Sequence, residues 1–348
     1  MLAVPLPFVV SLMLCVLAGS LWLQRRRSTP LACWFLLMCA ATTAVVGLRW
    51  TLDWAVFRTM QPIFASIIPV AAWWIFAKAS SSRKPSWRHA VVPIAVTVGS
   101  LTYPLWLPPL DVIITGQYVA YGVMLWCAAN DAEHPPENVR LSDWQWAIQS
   151  KRVAGVMLLF SALIDGAMTV DFMLTDGKHA LWILSLGHGL MLPILALAVM
   201  CISVSMADDS TIERTDSSSA DVLSEAISLP EGSLAEQQEV MARTESVLRE
   251  QTLYLDPNLT LARLARKAGI PARQISTAVN KLTQQNISQW VNQFRIEHAK
   301  TLLKQTDDPI TQIYMDSGFQ TKSNFHREFS RITGMTPSAY RTQSKVND

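Results

Sequence analysis

Charge is scarce in this chain, and that scarcity decides its broad class. Only 16% of the 348 residues are Asp, Glu, Lys or Arg, while half are hydrophobic. The mean hydropathy of +0.23 is unusual for a soluble protein. Cysteine is scarce as well. Cys15, Cys33, Cys39, Cys127 and Cys201 all fall inside apolar stretches, so no external pair suggests a disulfide and no spacing suggests zinc. They read as small buried hydrophobes, with redox sensing as the alternative. HExxH, GxSxG and a Gly-rich phosphate loop are all missing. No enzyme, catalytic residue, metal or cofactor is therefore expected. The first apolar stretch also lacks the marks of a cleaved leader: no basic residue precedes it and no small-residue cleavage site is obvious. Arg25, Arg26 and Arg27 follow it instead, as a membrane anchor requires.

A chain of this length has room for two or three domains, and the charges that are present divide it into three. Residues 1–206 carry 13 Lys/Arg against 9 Asp/Glu, residues 207–253 carry 3 against 11, and residues 254–348 carry 13 against 7. The basic end suits a polyanionic partner. The acidic middle suits a solvated connector.

The first 206 residues hold seven apolar stretches, about 3–23, 31–48, 60–77, 89–107, 109–129, 153–174 and 180–205. Each is near the roughly 17–25 residues needed to cross hydrocarbon, which predicts a seven-helix transmembrane bundle. Basic residues orient it. The loops after stretches one, three and five hold ten Lys/Arg (Arg25–Arg27, Lys78, Arg83, Lys84, Arg88, Arg140, Lys151, Arg152); the alternate loops hold Arg49, Arg58 and Lys178. The N-terminus is therefore expected outside, and the end of the seventh stretch inside. Trp22, Trp50, Trp54, Trp87, Trp106, Trp126 and Trp182 sit at or near stretch ends, where amphipathic rings favour the interface with lipid. Trp144 and Trp146, with Leu141 and Ile148, fit a short helix lying on the inner surface.

Ionisable residues inside apolar stretches are costly and need a partner or a cavity. Asp165 lies near the middle of stretch six and His188 well inside stretch seven. At about 1.5 Å per residue their depths nearly coincide across a core of about 30 Å. The two are expected to meet in the bundle interior, with Gln117, Tyr118 or Tyr121 from stretch five. Such a set either fixes helix packing or forms a ligand- or proton-responsive site.

Residues 207–233 are acidic and Ser-rich and read as a mobile linker reaching roughly 30 Å. A connecting helix follows over 234–253. Leu234, Met241 and Leu248 stand seven apart with Val240 and Val247 beside them, which allows a short dimerising coil or packing against the helix's own domain.

From 254 to 345 two helix-turn-helix patterns stand in tandem. In the first, Leu259, Leu261, Leu264 and Ala265 give an apolar helical face after Thr260 as N-cap, and Gly269 makes the turn. The second helix, from about Ala272 to Leu282, turns Ile275 and Val279 inward and leaves Arg273, Gln274, Ser276, Thr277, Asn280 and Lys281 outside. The second pattern has Ile310, Ile313 and Tyr314, a turn at Gly318, then Phe319, Phe325 and Phe329. Its outward residues are Thr321, Lys322, Ser323, Asn324, His326, Arg327 and Arg331. Hydrogen-bonding side chains with few carboxylates suit phosphates and base edges in a major groove. Between them Trp290, Val291, Phe294, Ile296, Ala299, Leu302 and Leu303 recur at helical steps. A stiff helix of this kind can hold two recognition helices about 34 Å apart, one DNA turn.

This stretch resembles the DNA-binding domain of AraC/XylS-type transcription regulators. The resemblance rests on LTLARLA, the AGI turn, RIEHAKTLL from Arg295, Ile310 with Ile313, SGF at Ser317, NFHREF from Asn324 and GMTPSAYR from Gly334. It covers about a quarter of the chain. Pro271, Tyr314 and Val279 depart from the usual Ser, Ala and Phe; proline is acceptable in a first helical turn. The resemblance implies that Arg273, Ser276 and Thr277 in the first unit, and Lys322, Ser323, Asn324 and Arg327 in the second, face double-stranded promoter DNA. It also implies RNA polymerase as a partner. The whole chain then reads as a membrane-embedded one-component regulator of a bacterial inner membrane. It would sit in lipid with its C-terminal domain in the cytoplasm and answer a small-molecule or membrane-protein signal, with a homodimer as one arrangement. Two alternatives keep the DNA-binding end and change the membrane half, to a docking platform or to a transporter- or enzyme-like module.

Overall fold

A computed structural model of the chain describes residues 6–23, 30–52, 54–80, 86–103, 105–106, 108–130, 136–180, 182–183, 187, 193–194, 196–201 and 233–346. Among these residues the structure is all-α, with short 3₁₀ turns and one isolated β-bridge. The chain folds as two units. One comprises Met1–Asp131 and Trp146–Met206, the other Ala132–Gln145 and Ala207–Asp348.

The first unit contains α1 (Leu6–Leu23), α2 (Pro30–Leu52), α3 (Ala55–Ser80), α4 (Val91–Leu101), α5 (Leu110–Asn130) and, from Trp146 on, α6 (Trp144–Thr175). Helix α1 packs on α2, α2 on α3, and α3 on both α4 and α5. These helices are apolar on their outer faces too: Leu12, Met13, Val16, Val112, Leu163 and Met173 are all exposed. A helix that is hydrophobic all round needs an apolar surrounding. Five helices among the described residues are long and apolar enough to cross a membrane, Leu6–Leu23, Leu31–Leu52, Ala55–Ser80, Leu110–Asn130 and Leu141–Thr175.

Two of the seven expected stretches stand apart. Stretch four forms a 3₁₀ turn at Trp87–Ala90 and the 11-residue α4, whose length of about 16 Å is half a hydrocarbon core. Stretch seven includes positions outside the described residues, as do the expected linker and His188. The short surface helix expected around Trp144 is corrected. Leu141 lies in a 3₁₀ turn, Leu141–Asp143, and Trp144 opens the continuous 32-residue α6. The apolar spacing that suggests a surface helix serves one that runs on through an apolar span.

Proline shapes the interior of this unit. Helix α3 carries Pro62 and Pro69, and Pro69 has no N–H for the carbonyl of Ala65 four residues earlier. The Tyr118 hydroxyl on α5 donates to that carbonyl at 3.0 Å, and Gln117 Nε2 donates to the carbonyl of Ser66 at 2.9 Å. Helices α5 and α6 meet at two glycines. A Cβ on Gly122 would lie 3.1 Å from the Gly155 carbonyl oxygen, and one on Gly155 only 2.9 Å from that of Gly122. Small residues are what let backbones approach this closely.

The second unit contains α7 (Leu234–Glu250), α8 (Leu261–Ala268), α9 (Ala272–Thr283), α10 (Ile287–Gln305), α11 (Ile310–Asp316), α12 (Lys322–Thr333) and α13 (Pro337–Val346). Ser233 and Glu236 form a capping box that starts α7. That helix packs on α8 and α9 and buries Thr244 and Leu248, while Leu234 is exposed. Of the two readings of its heptad spacing, packing within its own domain is the contact seen. The second core gathers Ile296, Ala299, Leu303, Ile313, Phe319, Phe325 and Phe329, so the C-terminal half of α10 supports the second helix pair.

Arg295 locks this arrangement. It is fully buried and donates from Nε to the Tyr254 carbonyl at 2.7 Å and from Nη2 to the Asp256 carbonyl at 2.9 Å. A third bond runs from Nη1 to Asn292 Oδ1 at 3.3 Å. Its planar fork suits such divergent acceptors. Burial lowers its pKa to about 10, against the opposing pull of Asp256, so it remains charged at neutral pH.

Candidate nucleic-acid interface

Each outward face is set by a start signal, a turn and a buried side. In the first pair Thr260 accepts the Arg263 N–H at 3.1 Å and begins α8, and Gly269 ends it at φ 66°. Pro271 then precedes α9, where its missing N–H is no loss. Ile275, Ala278 and Val279 are buried, which leaves Arg273, Gln274, Asn280 and Lys281 exposed and Ser276 and Thr277 half-buried.

In the second pair Gly318 stands at φ 79°, and a Cβ there would lie 2.6 Å from the Tyr254 carbonyl oxygen. Only glycine fits this turn. Thr321 caps α12 by accepting the Asn324 N–H at 3.3 Å, so its hydroxyl is engaged in starting the helix. Phe325, Glu328 and Phe329 face inward; Lys322, Ser323, Arg327 and Arg331 are exposed, and Asn324 is half-buried. Neither α9 nor α12 has an acidic residue in its first turn, so the positive end of each helix dipole is left for an anion.

A carboxylate that the residue pattern did not single out organises α12. Glu328, 4% exposed, accepts from Arg331 at 2.9 and 3.1 Å and from Arg327 Nε at 3.4 Å. Arg327 also donates to Asn324 Oδ1 at 2.8 Å. Arg331 is exposed, as expected, and at the same time pairs with Glu328. The i, i+3 spacing is the available signal.

Residues 264–343 match a family described as a helix-turn-helix domain. Over 90 residues the chain is 30% identical to the melibiose operon regulatory protein of Escherichia coli K12, covering 26% of this chain and 30% of that protein. Over 89 residues it is 34% identical to an uncharacterized HTH-type transcriptional regulator of Staphylococcus aureus, covering 26% of this chain and 12% of the other. The C-terminal residues form an AraC-type DNA-binding domain. The chain spans less than a third of the length of these relatives. No solved structure matches the chain.

Within the AraC-type domain the three departures from the resemblance are accommodated. Val279 is buried, Pro271 precedes α9, and Tyr314 joins the second core beside Phe325 at 6.3 Å between ring centroids. Its larger ring fills space in that core.

Part of the expected polar set of the apolar unit lies within the described residues. His188 lies outside the described residues. Asp165 on α6 is half-buried and within electrostatic reach of Tyr118 and Asp111. Gln117 and Tyr118 bond the α3 carbonyls described above. Tyr121 meets His89, which the sequence did not single out: its hydroxyl is 2.8 Å from His89 Nδ1, and Trp73 packs against both rings. A lone histidine beside a basic loop gives no signal for such a contact. Gln117 Oε1 is buried and accepts no hydrogen bond among the described residues.

Proposed function

We propose that this protein is a transcription regulator anchored in the bacterial inner membrane, in which an apolar helical unit controls an AraC-type DNA-binding domain in the cytoplasm. One observation carries the reading. Exposed large hydrophobic side chains crowd the first unit, whereas Leu234 and Met315 are the strongly exposed ones among the described residues of the second. Such a surface needs lipid, and a polar, basic domain follows it in the same chain. Charge bias assigns the α5–α6 connection to the cytoplasmic side. Hydrogen bonds between that connection and the DNA-binding domain support the same side for both.

In this reading Arg273, Gln274, Ser276, Thr277, Asn280 and Lys281 on α9, with Lys322, Ser323, Asn324 and Arg327 on α12, meet promoter DNA. Lys and Arg on phosphates supply most of the affinity, which falls steeply with salt. Asp165 and the unfilled acceptor of Gln117 mark where the bundle would take its signal, and occupancy or polymerase recruitment is the output.

Crosslinking the full-length chain to DNA in cells, followed by sequencing of recovered fragments, tests this. Discrete enriched sites are expected, with enrichment lost in Arg273→Ala/Lys322→Ala. The chain should also remain in the membrane pellet after alkaline carbonate extraction. Release into the supernatant, or recovery of DNA equal to the double variant, would reject the reading. A reporter on a recovered site then tests sensing, with Asp165→Asn expected to lock the output at matched protein levels.

A further inference from the structure

The segment joining α5 to α6 is short, polar and acidic in sequence, and its described residues, from 136 on, fold with the DNA-binding domain. Asp131, Glu133, Glu137 and Asp143 stand there against Arg140 as the sole Lys or Arg, a charge opposite to the basic C-terminal end. Val139 and Leu141 are nonetheless fully buried. A plain tether between two helices would leave such residues in water.

Four hydrogen bonds hold the segment. The Leu141 N–H donates to the Leu259 carbonyl at 3.0 Å, and the Ala262 N–H donates to the Glu137 carbonyl at 3.0 Å. Arg140 and Thr260 pair there as an antiparallel bridge. Ala262 N–H is one of the donors that the first turn of α8 cannot satisfy internally; the segment satisfies it. The Ser288 hydroxyl at the start of α10 donates to the Leu141 carbonyl. Finally, Asn324 Nδ2 on α12 donates to the Ser142 carbonyl at 3.2 Å. Beside that bond, Ser142, Trp144, Ser288, Asn292 and Arg327 line one cleft.

The last bond sets a conflict. An asparagine that reads adenine does so with both amide atoms. Here Nδ2 is held by the segment and Oδ1 by Arg327. We propose that residues 136–145 are an autoinhibitory clamp on α12, competing with DNA for Asn324 and its neighbours. The clamp is covalently continuous with α5 and α6, so a change in those helices on receiving a signal shifts the fraction of molecules in which it is docked. This rests on the regulator reading above and adds the route by which the membrane half would act.

The test uses the full chain in lipid nanodiscs and a DNA fragment recovered from the crosslinking experiment, with Kd measured by fluorescence anisotropy at fixed salt. Ser288→Ala removes one clamp bond and Leu141→Ala empties its anchor; neither residue belongs to the DNA-facing set. If docking holds about nine-tenths of molecules, release tightens apparent binding about tenfold. Equal or weaker binding by both variants overturns the clamp and makes the segment a brace. Hydrogen exchange guards against misfolding: residues 136–145 should lose protection while the α12 core keeps it, and loss at both overturns competition in favour of a structural role.

A second route locks the clamp. Arg140→Cys with Thr260→Cys, the antiparallel bridge pair that joins the segment to the start of α8 and lies outside the DNA-facing set, in a background without the five native cysteines, should lose DNA binding when oxidised and regain it on reduction. Equal binding in both states overturns the proposal. If the wild-type chain binds no better than Arg273→Ala/Lys322→Ala, the regulator reading fails and takes the clamp with it. If the wild type binds well and neither loosening nor locking changes Kd, the clamp alone is wrong.

Discussion

Arg295→Met replaces the fully buried guanidinium with a side chain of similar reach and no donors. Three acceptors lose their partners at once: the carbonyls of Tyr254 and Asp256, and Asn292 Oδ1. Each buried acceptor left unmet costs about 1–3 kcal/mol, and methionine recovers part of that by filling the same space. A net loss of about 3–5 kcal/mol is expected, the range for breaking a buried charged interaction. Against a domain stability of about 5–15 kcal/mol, that is enough to let the segment around the 3₁₀ turn Leu253–Leu255 open locally. Hydrogen exchange on the full chain in nanodiscs reads this directly. Protection in residues 253–259 and around Phe319 should fall about a thousandfold, at about 1.4 kcal/mol per factor of ten. Arg295→Lys should recover little, because one ammonium cannot serve divergent carbonyls as the fork does. The sign of the pH effect also follows. Burial places the folded pKa, about 10, below the unfolded one, so the folded state binds fewer protons only at strongly alkaline pH, where stability from this group rises with pH. From about pH 5 to 9 its slope is zero. A methionine variant that keeps its protection within a factor of about ten would mean that water serves these carbonyls, and the staple would not be what orders the turn.

Other perturbations follow from single contacts. Gly318→Ala puts a methyl 2.6 Å from the Tyr254 carbonyl oxygen at a positive φ; the expected cost is about 1–3 kcal/mol, seen as lower thermal stability of the DNA-binding domain and weaker DNA binding. Tyr118→Phe strips the donor from the Ala65 carbonyl and should destabilise the micelle-solubilised chain by about 1 kcal/mol. Pro69→Ala restores the intrahelical N–H and should make Tyr118→Phe nearly neutral in a double-mutant cycle; strict additivity would refute the pairing. Gly155→Leu drives a side chain into the Gly122 carbonyl, 2.9 Å away for the Cβ alone, and should lower the level of folded protein in membranes, where Gly116→Leu, with open space around it, should not.

What can be read from the sequence is local. The DNA-binding end repeats a start, a turn and an apolar stripe within about 25 residues, and each signal carries its own physics: a threonine hydroxyl at Thr260 and Thr321, a left-handed glycine at Gly269 and Gly318. What cannot be read joins residues far apart. Leu141 has the spacing of a surface helix with Trp144 and Ile148, and nothing near it announces Ser288, 147 positions away. The apolar unit shows an intermediate case. Tyr118 and Gln117 look like members of a sensing set because they are polar residues in an apolar stretch. Their partners are the backbone carbonyls of Ala65 and Ser66, one of them released by Pro69. A proline inside an apolar helix marks a carbonyl without a donor four residues earlier, and in lipid that group must find one. By that rule Pro69 calls for a donor from a neighbouring helix, and Tyr118 answers it as a packing residue. Ser100, whose hydroxyl donates to the Thr59 carbonyl at 2.8 Å, also bridges to α3, three residues before Pro62. Subtracting the donors used in this way leaves Asp165, which has no helix-packing bond from its carboxylate among the described residues. A carboxylate kept in an apolar helix without such a duty is the one whose removal should change the output while leaving the fold intact, which makes Asp165→Asn the sharpest separation of sensing from packing.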